Sequence, residues 1–244
     1  MLALLLMLIL PACAPSNGKG DSDNADADAD TDADTDTDAD TDTDADGLCP
    51  AFYGFVTATS VREYEVTPDY ADLYDYTGTW SSTITSIDGP TVVMEIDGSY
   101  AGTGYTTDSQ QSMTFTCDSA GVTVSNVHYA YTNTYDGGSV QAGWTDSTYE
   151  PTVAFPADGA EGSTWTAHWV IHNTDDGGHT NSYDYTVENA LVASDDVTVP
   201  AGTFPALEWQ QVSSITPDTT NSQWLSSGPG YLLSDFGELV SYTP

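Results

Sequence analysis

Three kinds of side chain in this sequence have types and spacings that chemistry can use: cysteines, histidines and carboxylates. Cys13 stands directly after an apolar run, Met1 to Leu10, and the pair Pro11-Ala12. A thiol placed there is a candidate nucleophile. Cys49 and Cys117 remain. In an oxidising compartment they are expected to pair, and a Cys49–Cys117 bond would tie the first folded residues to a strand near the middle of the chain; the alternative is two buried thiols. Neither belongs to a CxxC motif, so zinc is not indicated. His168 and His172 would share an ion on a helix, but along a strand they lie ~13 Å apart. His172 and His179 flank the turn Asp175-Asp176-Gly177-Gly178. A surface ion held between them competes there with plain solvated histidines, and the solvated reading is preferred, with no metal and no cofactor assigned. No serine sits in a GxSxG motif. A pair such as Glu150 and Glu161 would suit glycoside hydrolysis, but carboxylates are so numerous that any pairing is arbitrary. The sequence therefore nominates no catalytic residue and reads as non-enzymatic.

The elements that position these groups begin with residues 1–12, which are too short to span a bilayer and have the character of the apolar part of an export signal. Leu10, Ala12 and Cys13 fall where a bacterial lipoprotein signal places its recognition residues, and the segment resembles one. That resemblance implies a lipid on Cys13, a stable membrane anchor once two or more chains are attached, and, with Ala14 next instead of Asp, the outer membrane. Which side of that membrane the protein faces stays open.

Residues 13–47 follow as the lipidation site and a linker. Thirteen Asp lie between Asp21 and Asp46, interleaved mainly with Ala and Thr. Alternate carboxylates on an extended chain are ~6.6 Å apart, inside the ~8 Å Debye length of physiological salt, so the arm is expected to be extended and disordered. Its end, Asp42 to Gly47, imitates the start of a calcium loop. Position twelve, which needs a bidentate Glu, is Tyr53. Only weak, diffuse cation binding is expected.

Residues 48–244 make one domain. Of 38 acidic residues in the chain, 25 lie here, against a single base, Arg62; the formal net charge of the whole is −36. Such a field repels phosphates and excludes a nucleic-acid function. Asp-Gly and Gly-Gly pairs recur as hairpin cues at Asp88-Gly89, Asp97-Gly98, Asp136-Gly137-Gly138 and Asp176-Gly177-Gly178. Between them, Val92, Met94 and Ile96 share a face. Met113, Phe115 and Cys117 alternate with Thr114 and Thr116. Trp165, Ala167, Trp169 and Ile171 alternate with Thr164, Thr166 and His168, and Leu207, Trp209 and Gln211 alternate with Glu208 and Gln210. The one helical cue is a short piece around Pro68–Tyr76. The fold class is all-β: ten or more antiparallel strands in a large curved sheet, half-barrel or sandwich.

Three further pieces carry a resemblance. Gly162-Ser163-Thr164-Trp165 opens a long strand. Val197-Thr198-Val199-Pro200-Ala201-Gly202-Thr203-Phe204 forms a corner, with Pro200 removing a strand donor and Gly202 allowing the tight turn. Trp224 to Leu233 reads as a hairpin. Together they resemble exported bacterial lipoproteins related to the LolA/LolB-like carrier superfamily. The resemblance implies a curved antiparallel sheet whose concave face holds acyl chains.

The functional expectation is a membrane-anchored binding protein. Trp165, Trp169, Leu207 and Trp209 are the candidate ligand face; if they line an open mouth the ligand is hydrophobic and acyl-like, and a side-chain-filled interior removes that reading. The alternative is an adhesion or envelope-structural protein that touches a glycan or another envelope protein through surface aromatics, since six Trp and fifteen Tyr exceed what a minimal core needs. An exposed aromatic patch on the outer face marks that alternative. Tyr70, Tyr74 and Tyr76, and Tyr129, Tyr131 and Tyr135, are the candidate patches.

Overall fold

A computed structural model describes residues 60–68, 70–71, 75–157, 159–226 and 229–243. The signal segment, Cys13, the acidic linker and Cys49 lie outside the described residues.

Thirteen strands follow one another: β1 (Val61–Val66), β2 (Tyr76–Asp88), β3 (Thr91–Gly102), β4 (Tyr105–Asp118), β5 (Gly121–Tyr135), β6 (Val140–Tyr149), β7 (Val153–Pro156), β8 (Thr164–Asp175), β9 (Thr180–Val199), β10 (Gly202–Ser213), β11 (Thr216–Ser226), β12 (Gly230–Ser234) and β13 (Gly237–Thr243). Neighbours in space run β4-β3-β2-β1-β13-β12-β11-β10-β9-β8-β6-β5, and β5 returns to β4. Twelve antiparallel strands thus close into a barrel. The closure leaves no free sheet edge in the ring. β7 stands apart from the ring and pairs only with Gly121–Thr123 of β5.

The all-β expectation holds, and the curved sheet goes further than a half-barrel because Arg62 of β1 pairs with Tyr242 of β13. Alternation is as the sequence reads. Met113, Phe115 and Cys117 are buried, and Trp165, Ala167, Trp169 and Ile171 face inward. The corner at Pro200–Ala201 joins β9 to β10, with Gly202 at φ 142° and Phe204 packed back against the core. Trp224 and Leu233 are cross-strand partners in the β11–β12 hairpin. Among the described residues the helical cue is met by one turn, in which the Ala71 N–H donates to the Thr67 carbonyl at 2.9 Å; β2 has begun by Tyr76.

Asp97-Gly98 is not a turn. β3 runs straight through it, with Gly98 opposite Trp80 and Ser109. The Tyr100 ring lies across the inner side of Gly98, where a Cβ would meet its Cε2 atom at 2.6 Å. Gly is required by that close approach, so the dipeptide misleads as a turn cue.

At the end where β2 turns into β3 and β4 into β5, the interior is apolar: Ile84, Val92, Met94, Phe115, Val122 and Val124 are buried there. At the other end of the same strands it is aromatic. Tyr76 stacks on Tyr100 with centroids 5.6 Å apart, and Phe236 packs on Trp80 at 5.2 Å. Outward positions are polar, as along β4 with Thr106, Asp108, Gln110, Ser112, Thr114 and Thr116. A membrane-spanning barrel presents an apolar outward band, and β4 has the opposite polarity.

Candidate functional site

An open groove of about 1010 Å³ lies on the outer face of β1 to β6. Two rows of outward side chains cross it. The first is Glu63, Ser81, Asp97, Gln110, Ala130 and Trp144, each the cross-strand partner of the next. The second is Thr79, Ser99, Asp108, Thr132 and Ala142. With strands ~4.8 Å apart, six of them span roughly 24 Å. The inner side of this part of the sheet carries Gly98, Ser109 and Gly143, with the Tyr100 and Tyr131 rings lying over the two glycines. A Cβ on Gly143 would meet the Tyr131 hydroxyl at 2.9 Å.

Trp144 closes one end of the first row and is 37% exposed. His128 lies beside it, with ring centroids 6.1 Å apart and planes 29° from parallel. His128 Nδ1 is 2.5 Å from Asp146 Oδ1, which fixes the imidazole edge-on to a carboxylate. Gln110 Nε2 donates to Asp97 Oδ1 at 3.1 Å. Glu63, Asp97 and Asp108 make the groove anionic. The chain's basic residues are Lys19 and Arg62, and Arg62 points the other way. It is 3% exposed on the inner face, its Nε donates to the Pro229 carbonyl at 2.6 Å, and its guanidinium lies 5.9 Å from the Tyr242 ring centroid.

The structure brings Trp165, Trp169, Leu207 and Trp209 into one core. The sequence reading left open whether they line a mouth or a filled interior; here they pack in and against the buried core. Trp165 and Trp209 stack at 6.0 Å, and Phe155 of β7 meets both edge-on at 5.3 and 5.4 Å. Phe155 is fully buried, and Trp169, Leu207 and Trp209 are at most 5% exposed. The indole N–H groups are used internally: Trp165 donates to the Ala154 carbonyl at 3.1 Å and Trp209 to Asn189 Oδ1 at 3.0 Å. Asn189 Oδ1 also accepts from Gln211, which in turn accepts from Gln223, each at 3.1 Å. These four residues pack in and against the core, with both indole N–H groups of Trp165 and Trp209 satisfied within the protein.

Of the tyrosines proposed as surface patches, Tyr76, Tyr129 and Tyr131 lie on the inner face, while Tyr135 is 38% exposed at the end of β5 beside Tyr105. Tyr70 packs edge-on to Phe236, and Tyr129 stacks on Tyr131; Tyr74 lies outside the described residues. Burial pushes the Tyr64 and Tyr185 hydroxyls up to about 12. It also raises Tyr76, Tyr100, Tyr149 and Tyr231, with neighbouring tyrosines adding to each.

The histidines stay separate on the outside. His168 Nε2 is 2.7 Å from Asp184 Oδ1, and His172 Nδ1 is 2.8 Å from Ser182 Oγ. The turn pairs Thr174 with Thr180. Asp175 is held below the usual carboxylate range, chiefly by the His179 backbone N–H, with its side chain and the Gly177 N–H adding. Among the described residues no group of three or more His, Cys, Asp or Glu is placed to hold a metal ion. Cys117 is buried, and its expected partner Cys49 is outside the described residues.

No protein-family model matches this chain, and neither does any curated protein or solved structure. The residue that sequence reasoning missed is Trp144. Its signal was weak: β6 alternates Gly143, Thr145 and Ser147 inward with Ala142, Trp144 and Asp146 outward, so neither face looks apolar.

Proposed function

We propose that this chain is a non-enzymatic, lipid-anchored envelope protein that binds a glycan along the outer groove of its barrel. The observation that carries the reading is the groove itself, with an exposed indole at one end and two rows of hydroxyl, amide and carboxylate groups leading from it. Sugars present apolar C–H faces and a rim of hydroxyls. The first suits an aromatic platform and the second suits short polar side chains set at strand spacing. Carboxylates such as Asp97 sit on an open surface. Glycoside hydrolysis needs one carboxyl kept protonated beside a second, which an open surface does not favour, so binding without cleavage is the simpler chemistry. The packing of Trp165 and Trp209 against Phe155 argues against an acyl cargo between them, so the carrier-like motifs serve here to build strands and corners. The address rests on Cys13 and its apolar leader.

Affinity electrophoresis through gels containing neutral β-linked polysaccharides tests the binding. Wild type is retarded and Trp144→Ala is not, with unchanged thermal stability; equal mobility of the two contradicts the reading. Mass spectrometry of the native protein tests the anchor: acyl mass on Cys13, lost in Cys13→Ser, is the expected result.

A further inference from the structure

Resting on that reading, we infer that the groove selects glycans carrying free amines, that is amino sugars without their N-acetyl groups. The inference comes from the sign and placement of charge. Asp97 and Asp108 point from adjacent strands into the middle of the groove, and Glu63 lies at the β1 end of the same row. Asp97 and Asp108 are diagonal neighbours across β3 and β4, a relation that places them roughly 7–8 Å apart. Like charges so close repel, and the groove supplies no cation to offset them: Arg62 is turned inward and His128 is engaged by Asp146. A ligand with ammonium groups at intervals along a chain relieves that repulsion at several points at once. An acidic glycan adds to it, and a neutral one leaves it in place. Trp144 adds a requirement that simple cations do not meet, because it needs a flat apolar face to cover. Both conditions together describe a polymer of glucosamine type better than a metal ion or a uronic-acid chain.

Titration calorimetry on the full chain separates the cases. The probes are a glucosamine pentamer, its fully N-acetylated counterpart and a glucose pentamer, in mildly acidic, low-salt buffer that keeps the amines protonated. The amine form is expected to bind about tenfold tighter than either neutral form, a difference of ~1.4 kcal/mol. The advantage should shrink as salt shortens the Debye length to ~3 Å at 1 M. The acidic linker attracts cations too, so the deciding variant is Asp97→Asn with Asp108→Asn. It keeps the linker and should bring the ratio of amine to neutral affinities close to one. Equal affinity for all three probes, or an amine preference that survives the double variant, overturns amine selection but leaves the glycan groove standing. Failure of every probe to bind overturns both.

Discussion

Replacing Phe155 by Ala tests whether the barrel interior is solid. Phe155 is the only large side chain that β7 sends into the core, and it is fully buried against the edges of Trp165 and Trp209. Gly159 closes over it, with its Cβ position 2.9 Å from the Phe155 ring. Truncating a buried Phe to Ala costs about 3–5 kcal/mol when the surroundings cannot collapse. Collapse is opposed here, because both indoles are fixed by hydrogen bonds to Ala154 and Asn189. For a domain of this size each kcal/mol lowers Tm by roughly 2–4 °C, so a fall of about 6–20 °C is expected. Near-UV circular dichroism reads the tryptophan packing during the same melt. Phe155→Leu should lose much less. A Tm for Phe155→Ala within ~2 °C of wild type would mean that the space between Trp165 and Trp209 is not filled as described, and an internal ligand would return as the better reading.

Asn189→Leu should destabilise by about 2–5 kcal/mol in urea melts, because it leaves the buried Trp209 N–H and the Gln211 amide without an acceptor; a loss below ~1 kcal/mol means another acceptor replaces it. Gly237→Ala should be worse than a helix or strand propensity change predicts, since its Cβ would lie 1.9 Å from the Trp80 ring; overpacking of this kind costs roughly 1–3 kcal/mol or more, and full stability would show that the ring moves freely. Alkali should unfold the barrel. Unfolded tyrosines ionise near 10 and folded Tyr64 near 12, so the unfolded state loses its proton first and stability falls as pH rises between those values. Tyr64 alone contributes roughly 3 kcal/mol to that fall. Phenolate absorbance should therefore appear together with loss of tertiary signal, and smooth ionisation of Tyr64 near pH 10 in a folded chain contradicts its burial.

Much of the wall was legible in the sequence. The alternation of Met113, Phe115 and Cys117 with threonines, and the corner at Pro200 to Phe204, report local pairing and burial directly. Closure was not legible, because the pairing of Arg62 with Tyr242 is a contact between distant strands that no local pattern encodes. The groove was hidden for a different reason. Outward Ser, Thr and Asp look the same in sequence whether the sheet beneath them is convex or concave. Gly98 lies under the Tyr100 ring in mid-strand, and Asp97-Gly98 read alone suggests a turn. The tryptophans of β8 and β10 were correctly placed on the inner face, yet whether that face lines a mouth or a core depended on β7 and Phe155. Trp144 stood in a strand with no apolar side and gave no pattern to follow.

The most direct test of the account is a crystal structure of the protein with a bound β-linked oligosaccharide. The account predicts sugar rings along the outer face of β2 to β6, with one ring flat on Trp144 and hydroxyl or amine groups at Asp97 and Asp108. Ligand density inside the barrel, between Trp165 and Trp209, would contradict it.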